Sequence, residues 1–255
     1  MDSLDSLYSD KKVINFLEKY REIEGDWRSN VIKSKSNLKV RFNQIEKIKT
    51  YAPKKPKILD VGCGTGYSLV LIRSEFPDAE LHGIDLQSSK VWNICNEHGF
   101  NINFKKYGGV HFPYKDGTFD VITMFGVLEH VAEDRKDYVV EANFLKEINR
   151  VLKKDGVLLI FNLPNKYSYK EVLTQLTLTG FAHKKRYNRK MALELVKNAG
   201  FKVISIRNSD ILPFGGGPAR VVMPLLNLFS FVTDLEKHIE FPFAQSITVI
   251  CKKRN

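Results

Sequence analysis

A turn with three glycines, each separated by one residue, follows an apolar run that ends in an acidic residue. Glycine has no Cβ, so a turn through Gly62, Gly64 and Gly66 can adopt φ above zero and let a ligand lie against the backbone. A helical pattern begins at Tyr67, which brings the amide-rich start of a helix to the same place. Asp60, two residues before the first glycine, suits a ligand with an ammonium group more than one with a pyrophosphate. The turn therefore predicts a small-ligand site.

A second acidic residue follows the next apolar run. The segment from Glu80 to Ile84 is typical of a buried strand, and Asp85 comes directly after it, about 20 residues beyond the turn. An acidic residue at this distance accepts hydrogen bonds from both hydroxyls of a ribose. The alternative role for Asp85 is to cap the helix that follows. Ligands of open α/β sheets bind at the carboxyl ends of the strands, so both acids are expected at one edge.

Histidines supply the candidates for proton transfer. His130 is the first candidate for a general base because it follows the predicted fourth strand and an imidazole titrates in the useful range. A positioned base contributes about 10²- to 10⁴-fold to a reaction rate. A supporting or capping hydrogen bond is an equally open role for His130, and His111 and His183 are alternative bases.

Strand and helix patterns alternate along the chain once Pro53 and Pro56 have interrupted the preceding helical pattern. Such alternation predicts an α/β fold with a mostly parallel, doubly wound sheet. The expected strands are 57–61, 80–84, 101–105, 119–124, 157–162, 201–207 and 245–252, and the expected helices are 66–75, 88–98, 133–152 and 189–198.

Two regions lie outside this alternation. Residues 1–52 are interpreted as a helical extension without a catalytic motif, and residues 53–255 as the α/β domain. Residues 208–244 form a lid-like insertion, in which 211–232 is largely apolar. That stretch contains Pro224 and is too short for a membrane span, which needs about 20 apolar residues. A lid, a peripheral membrane contact, a dimer face and packing on the domain's own core are all open.

The chain carries a net charge of +11 and has a sequence pI near 9.4. This charge suggests an anionic partner, and lysine-rich solvated faces are an equally open explanation. The three cysteines are far apart and show neither metal nor disulfide spacing. The residues after Met1 lack the basic and apolar regions of a signal peptide, so a cytoplasmic, at most membrane-peripheral, location is expected.

The glycine turn together with Asp60 closely resembles motif I of the class I S-adenosylmethionine (SAM) methyltransferases. The resemblance covers roughly residues 57–207, where the segments 112–122, 127–131 and 147–158 are similar to the ubiquinone and menaquinone methyltransferase group, type 11. It implies a Rossmann-like, seven-stranded sheet with an antiparallel last strand. It also implies SAM as the methyl donor and a small-molecule acceptor.

The resemblance further implies roles for individual residues. Asp60 would hold the ammonium group of SAM, and the turn backbone would lie against its methionine part. Gly108 stands where the family often has an aspartate for the adenine, so the backbone of Gly109 and Val110 would hold the base instead. The implied cofactor residues are Asp60, Gly62, Cys63, Gly64, Gly66, Asp85, Leu86, Gly109, Val110 and Phe125, and the implied acceptor residues are Tyr167, His183 and Arg186.

The acceptor itself remains open at this point. An apolar insertion and a basic cluster at 183–186 suit a hydroxyl on a lipid-, prenyl- or glycan-linked molecule with an anionic group. Ubiquinone O-methyltransferases carry a metal-linked Glu-x-x-Glu-His, but Gly126 replaces the first glutamate here, so no metal is predicted. An RNA methyltransferase and a non-catalytic protein of this fold are the alternatives. No signature of an RNA-binding module is present, so no specific nucleic acid is expected.

Overall fold

A computed structural model of the chain describes residues 10–33, 35–108, 111–135, 137–172, 183–211, 235 and 239–254. The helices are α1 (Lys11–Lys33), α2 (Lys35–Tyr51), α3 (Tyr67–Glu75), α4 (Val91–Glu97), α5 (Val139–Val151) and α6 (Arg189–Asn198). The strands are β1 (Lys57–Val61), β2 (Glu80–Asp85), β3 (Ile102–Lys106), β4 (Phe119–Phe125), β5 (Leu152–Pro164), β6 (Phe201–Ser209) and β7 (Ser246–Lys253). Among these described helices, none is both long and apolar enough to cross a membrane.

The seven strands form one sheet in the order β3-β2-β1-β4-β5-β7-β6. The first five run parallel, and β7 is antiparallel to both β5 and β6. The mostly parallel sheet and its antiparallel last strand confirm the expected fold. Four of the five residues of β1 are buried, as helices on both faces of a parallel sheet require. In register with Asp60 lie Gly83 of β2 and Thr123 of β4, so the ends of these strands meet at one edge.

Helices α1 and α2 share the hydrophobic core of the sheet. Phe16 of α1 and Phe42, Ile45 and Ile48 of α2 are fully or almost fully buried in the same cluster as Leu69 of α3. At about 1.5–3 kcal/mol for each large apolar side chain taken from water, these helices contribute to the stability of the whole sheet. The division of the chain between residues 52 and 53 stays a prediction.

The predicted helix 133–152 is wrong in its bounds, because α5 begins at Val139 and β5 already begins at Leu152. The Nζ of Lys185 donates to the carbonyl oxygens of Ala132 and Asp137, both at 3.0 Å. The carbonyl oxygens of Ala132 and Asp137 thus bind the Lys185 ammonium group where the helix was expected to begin. The chain forms a turn over residues 131–134 instead. The predicted strand 157–162 is also too short, because β5 begins five residues earlier, at Leu152. The bounds of the other predicted elements lie within three residues of those in the structure.

Most of the predicted insertion lies outside the described residues, including 212–234 and 236–238. Its role therefore stays a prediction. On its described flank, the side chains of Phe241 and Phe243 are exposed, and their rings contact each other edge to face with centroids 5.9 Å apart.

Candidate functional site

The glycine turn connects β1 to α3 with all three glycines in the left-handed region, at φ of +71°, +52° and +86°. A Cβ on Gly62 would lie 2.5 Å from Cγ2 of Val127, and one on Gly66 would lie 2.5 Å from the ring of Phe104. A Cβ on Gly64 would meet nothing within 4 Å. The outer glycines are therefore needed for packing, whereas the middle one borders open space where a ligand could lie against the backbone.

Asp85 holds this turn from the end of β2. Its Oδ2 accepts the amide of Gly64 at 2.8 Å, and its Oδ1 accepts the amide of Gln87 at 3.1 Å. The indole of Trp92, stacked on Phe104, donates to the carbonyl oxygen of Gly64 at 2.8 Å. The alternative role as a helix cap does not apply, since α4 begins only at Val91. Asp85 lies beside the turn, as the ribose-binding prediction requires.

Asp60 lies at the floor of the site with 2% of its surface exposed. Its Oδ1 accepts the hydroxyl of Thr123 at 2.8 Å. Burial raises the pKa of this carboxyl to about 7, while the Thr123 hydrogen bond and Arg41 act in the opposite direction. A ligand ammonium group would stabilise the ionised form, so the residue fits the predicted role.

Sequence reasoning missed Arg41, which α2 brings to the same edge. Its guanidinium lies 4.2 Å above the centre of the Phe125 ring, and its side chain is 9% exposed. Burial lowers its pKa, and the charges of Asp60 and Asp210 partly offset that shift. A buried guanidinium opposite Asp60 could bind a carboxylate. An arginine among many basic helix residues gave no signal of this role.

A polar chain links Arg41 to the far strands of the sheet. Its Nη1 donates to Gln44 at 3.1 Å, Gln44 donates to Asn162 at 3.4 Å, and Asn162 donates to Asp210 at 3.1 Å. The hydroxyl of Ser246 also donates to Asp210. Asn162 and Asp210 have φ of +58° and +65°, a region that asparagine and aspartate enter more readily than other residues. The network fixes α2 against β5, β6 and β7.

His130 ends a short 3₁₀ turn, Leu128–His130, that follows β4. Its imidazole is 49% exposed on the side-chain scale, and its Nε2 lies 3.8 Å from Oε1 of Glu129. Its Nδ1 lies 3.9 Å from Oε2 of Glu133. The predicted base therefore stands at the surface, between a buried and a partly exposed carboxylate.

His183 lies next to this turn although it is distant in sequence. Its ring centroid is 6.3 Å from that of His130. Glu171, which is buried, accepts the Nδ1 of His183 at 2.7 Å and its backbone amide at 3.2 Å. A carboxylate on Nδ1 fixes the orientation of an imidazole. Of the two alternative bases, the structure brings His183 to His130, whereas His111 binds Glu147 at 3.3 Å.

The basic cluster at 183–186 has internal partners. Lys185 is buried in an ion pair with the fully buried Glu141, and Lys184 forms an exposed ion pair with Asp134 at 2.8 Å. Lys185 is therefore unavailable to an acceptor. Arg186 is partly exposed, and its charge helps to lower the pKa of Glu171.

The other predicted residues have different outcomes. The side chain of Leu86 is 67% exposed beside Asp85, and Tyr167 is also exposed. Cys63 is buried within the turn, and burial raises the pKa of its thiol. Gly109 and Val110 lie outside the described residues. Within the described ranges, no group of three or more His, Cys, Asp or Glu side chains is placed to hold a metal ion.

Comparison with protein families matches residues 38–206 to a family described as a methyltransferase domain. The match spans more than half of the chain, which therefore belongs to this methyltransferase family. The chain is 26% identical over 190 residues to the ubiquinone/menaquinone biosynthesis C-methyltransferase UbiE of Campylobacter jejuni, covering 62% of this chain and 75% of that protein. It is 30% identical over 115 residues to norajmaline N-methyltransferase of Rauvolfia serpentina, covering 43% of this chain and 37% of that one.

Among solved structures, a SAM-dependent methyltransferase from Thermotoga maritima superposes with a TM-score of 0.57 at 16% identity. The match covers 98% of this chain and 99% of that one. At this identity the likeness supports the fold alone. The family match identifies the chain as a SAM-dependent methyltransferase of class I, with SAM as its methyl donor, and the fold agrees with this assignment.

Proposed function

We propose that this enzyme methylates a small molecule at a hydroxyl group, on a lipid-, prenyl- or glycan-linked metabolite, and that SAM lies along the glycine turn. The observation that carries the proposed site is the presence of two buried opposite charges, Asp60 and Arg41, each of which shifts the pKa of the other, beside a turn that is open at Gly64. Their charges complement the ammonium and carboxylate groups of the methionine part of SAM. Bound SAM supplies an activated methyl group on its sulfonium sulfur.

The cofactor side of the site, residues 60–67 with Arg41 and Asp85, does the binding. Asp85 would release the Gly64 amide or share it when it accepts the ribose hydroxyls. Leu86 and Phe125 offer apolar surface, and the exposed Leu86 would be covered by the adenine. The backbone of Gly109 and Val110 would hold the adenine, a role that rests on the sequence alone because both residues lie outside the described part of the structure.

The acceptor side, Glu129, His130 and residues 183–187, would position the acceptor and take up its proton. Held next to the methyl donor, an acceptor gains about 7–11 kcal/mol from alignment alone. His130 and His183 lie close to each other there, and each is paired with a carboxylate. Tyr167 is exposed, as an apolar wall for a prenyl or lipid part requires, and Arg186 would meet an anionic group.

A carbon acceptor is the second candidate, because a relative carries the name of a quinone C-methyltransferase. Loss of a proton from an activated carbon places the same demand on the acceptor side as loss of a proton from a hydroxyl. The two are distinguished by incubating the enzyme with SAM and prenylated phenols, lipid-linked sugars and bulk RNA, and then locating the new methyl group by NMR. Methylation of RNA alone would contradict the proposal.

The cofactor site is tested by calorimetric titration with S-adenosylhomocysteine. Asp85→Ala should weaken binding by about tenfold or more, since a hydrogen bond to a charged group is worth about 1.5–3 kcal/mol. Asp78→Ala is the matched control, because Asp78 lies in the turn at the opposite end of β2 and forms an exposed ion pair with Lys55 at 3.8 Å. Equal affinity of Asp85→Ala and wild type would show that the ribose binds elsewhere.

A further inference from the structure

Glu129, the middle residue of the turn after β4, is a carboxylate that the binding of SAM does not use. Its side chain is 3% exposed, and its Oε2 has no hydrogen-bond partner among the residues that the structure describes. A buried carboxylate oxygen without a partner is costly, so native proteins retain such a group where it has a function.

The position of Glu129 connects it to the cofactor side. A Cβ on Gly126, the residue that follows β4, would lie 3.4 Å from Oε1 of Glu129. The next residue, Val127, is the one that closes on Gly62 of the glycine turn. Glu129 therefore stands near the carboxyl end of β4, next to the segment that borders the turn.

Several titratable groups face this carboxyl. His130 and Glu133 approach from its own turn, and His183, oriented by Glu171, approaches from the loop before α6. Tyr187 donates its hydroxyl to the carbonyl oxygen of Leu128 at 3.3 Å. Burial raises the pKa of Glu129 to about 7, with Glu133 raising it and His183 lowering it. The carboxyl can thus exchange a proton near neutral pH.

We propose that Glu129 faces the methyl group to be transferred and accepts the proton of the acceptor, and that His130 passes this proton to solvent. This inference rests on the proposed function. The acceptor oxygen gains the methyl group and gives its proton to the Glu129 carboxylate, and the sulfur keeps the electron pair of the broken bond to carbon. The neutral Glu129 carboxyl then gives the proton to the half-exposed His130, and His130 releases it to solvent.

The test uses sinefungin, a SAM analogue with an amine at the position of the transferred methyl, and requires no acceptor. A buried carboxylate within about 6 Å attracts such an ammonium group strongly. The affinities of sinefungin and S-adenosylhomocysteine are measured by calorimetry at pH 8, and their ratio is compared between variants. We expect the wild type to bind sinefungin more tightly than S-adenosylhomocysteine. In Glu129→Gln the ratio of the two affinities should be about tenfold lower. Glu133→Gln, the neighbouring carboxylate, should retain it.

The ratio should also depend on pH. Ionisation of Glu129 strengthens the attraction, so the wild-type preference should increase between pH 5.5 and pH 8.5, whereas that of Glu129→Gln should stay flat. The contribution of Asp60 is common to both ligands and cancels in the ratio. Loss of the wild-type preference on addition of Mg²⁺ would indicate that a cation occupies the position beside Glu129, and it would overturn the proposal.

The remaining outcomes separate this inference from the proposed function. Equal ratios in wild type and Glu129→Gln, with normal affinity for S-adenosylhomocysteine, would overturn only the role of Glu129. Loss of S-adenosylhomocysteine binding in both Glu129→Gln and Glu129→Asp would assign the residue to the fold or the cofactor site, against the proposal. Failure of wild type to bind either ligand would contradict the proposed cofactor site, and this inference with it.

Discussion

The cofactor side is shaped mainly by backbone, whereas the acceptor side is held together by pairs of charged side chains. At the cofactor side, Gly62 and Gly66 leave room for Val127 and Phe104, and Asp85 binds backbone amides. At the acceptor side, Lys185 pairs with Glu141, 44 positions earlier in the chain, and His183 pairs with Glu171, 12 positions earlier. The cofactor side should therefore be sensitive to added side-chain volume. The acceptor side should be sensitive to the loss of one charge from a pair.

The largest effect is expected from Lys185→Met at the acceptor side. It leaves Glu141 buried and unpaired, and breaking a buried ion pair in this way costs about 3–5 kcal/mol. The free energy of unfolding in urea measures the loss. Lys184→Met, which breaks the exposed ion pair with Asp134, should cost at most about 1 kcal/mol.

The double variant Lys185→Met with Glu141→Leu removes both charges and should recover most of the lost stability. Equal losses in Lys185→Met and Lys184→Met would show that charge pairing does not hold the acceptor side, and the contrast between the two sides would be wrong.

A smaller effect is expected from Gly62→Ala at the cofactor side. A non-glycine residue in the left-handed region costs about 1–2 kcal/mol, and the 2.5 Å approach to Val127 adds about 1–3 kcal/mol of overpacking. Gly64→Ala is the matched control, because it has the same backbone strain and open space around its Cβ. Thermal unfolding should therefore show a larger loss for Gly62→Ala.

Adding Val127→Ala should restore part of the stability of Gly62→Ala and none of that of Gly64→Ala. If the two glycine variants unfold at the same temperature, side-chain volume is not what the turn limits.

The smallest effect concerns pH and Asp60, a buried acid on the cofactor side whose pKa is raised. Its pKa of about 7 lies above the usual value near 4, so the folded protein binds more protons in that range and its unfolding free energy falls as pH rises. The affinity for S-adenosylhomocysteine should change in the opposite direction, because the ionised carboxylate binds the ammonium group. It should weaken roughly tenfold from pH 7.5 to pH 6.

Asp60→Asn should remove both trends, and Asp78→Asn should retain them. A wild-type affinity that does not change over this range would show that the ligand ammonium does not meet Asp60.

The contrast also explains what could be predicted from the sequence. The seven strands and the turn were predictable because each depends on a continuous run of residues, such as the apolar run that becomes β1. Asp85 was predictable because its distance from the turn is set by one helix and one strand. Local patterns therefore suffice for most of the fold and for the position of Asp85 beside the turn.

The remainder depends on contacts between distant residues. Gln44 and Asn162 are 118 positions apart, and nothing near either residue indicates their hydrogen bond. The carbonyls that bind Lys185 displaced the start of α5 for the same reason. The burial of Arg41 and Glu129 results from the packing of whole elements, which periodicity does not specify.

The place of β7 between β5 and β6 has a consequence for biosynthesis. Translation produces β6 before β7, so β6 leaves the ribosome before the strand with which it pairs. Until β7 has been made, β5 has an open edge, which is prone to pairing with other chains. A nascent chain that stops before Ser246 would have the strands of its cofactor side already made and its sheet still incomplete. Chaperone binding to stalled chains should therefore decrease once the residues of β7, Ser246–Lys253, have been added.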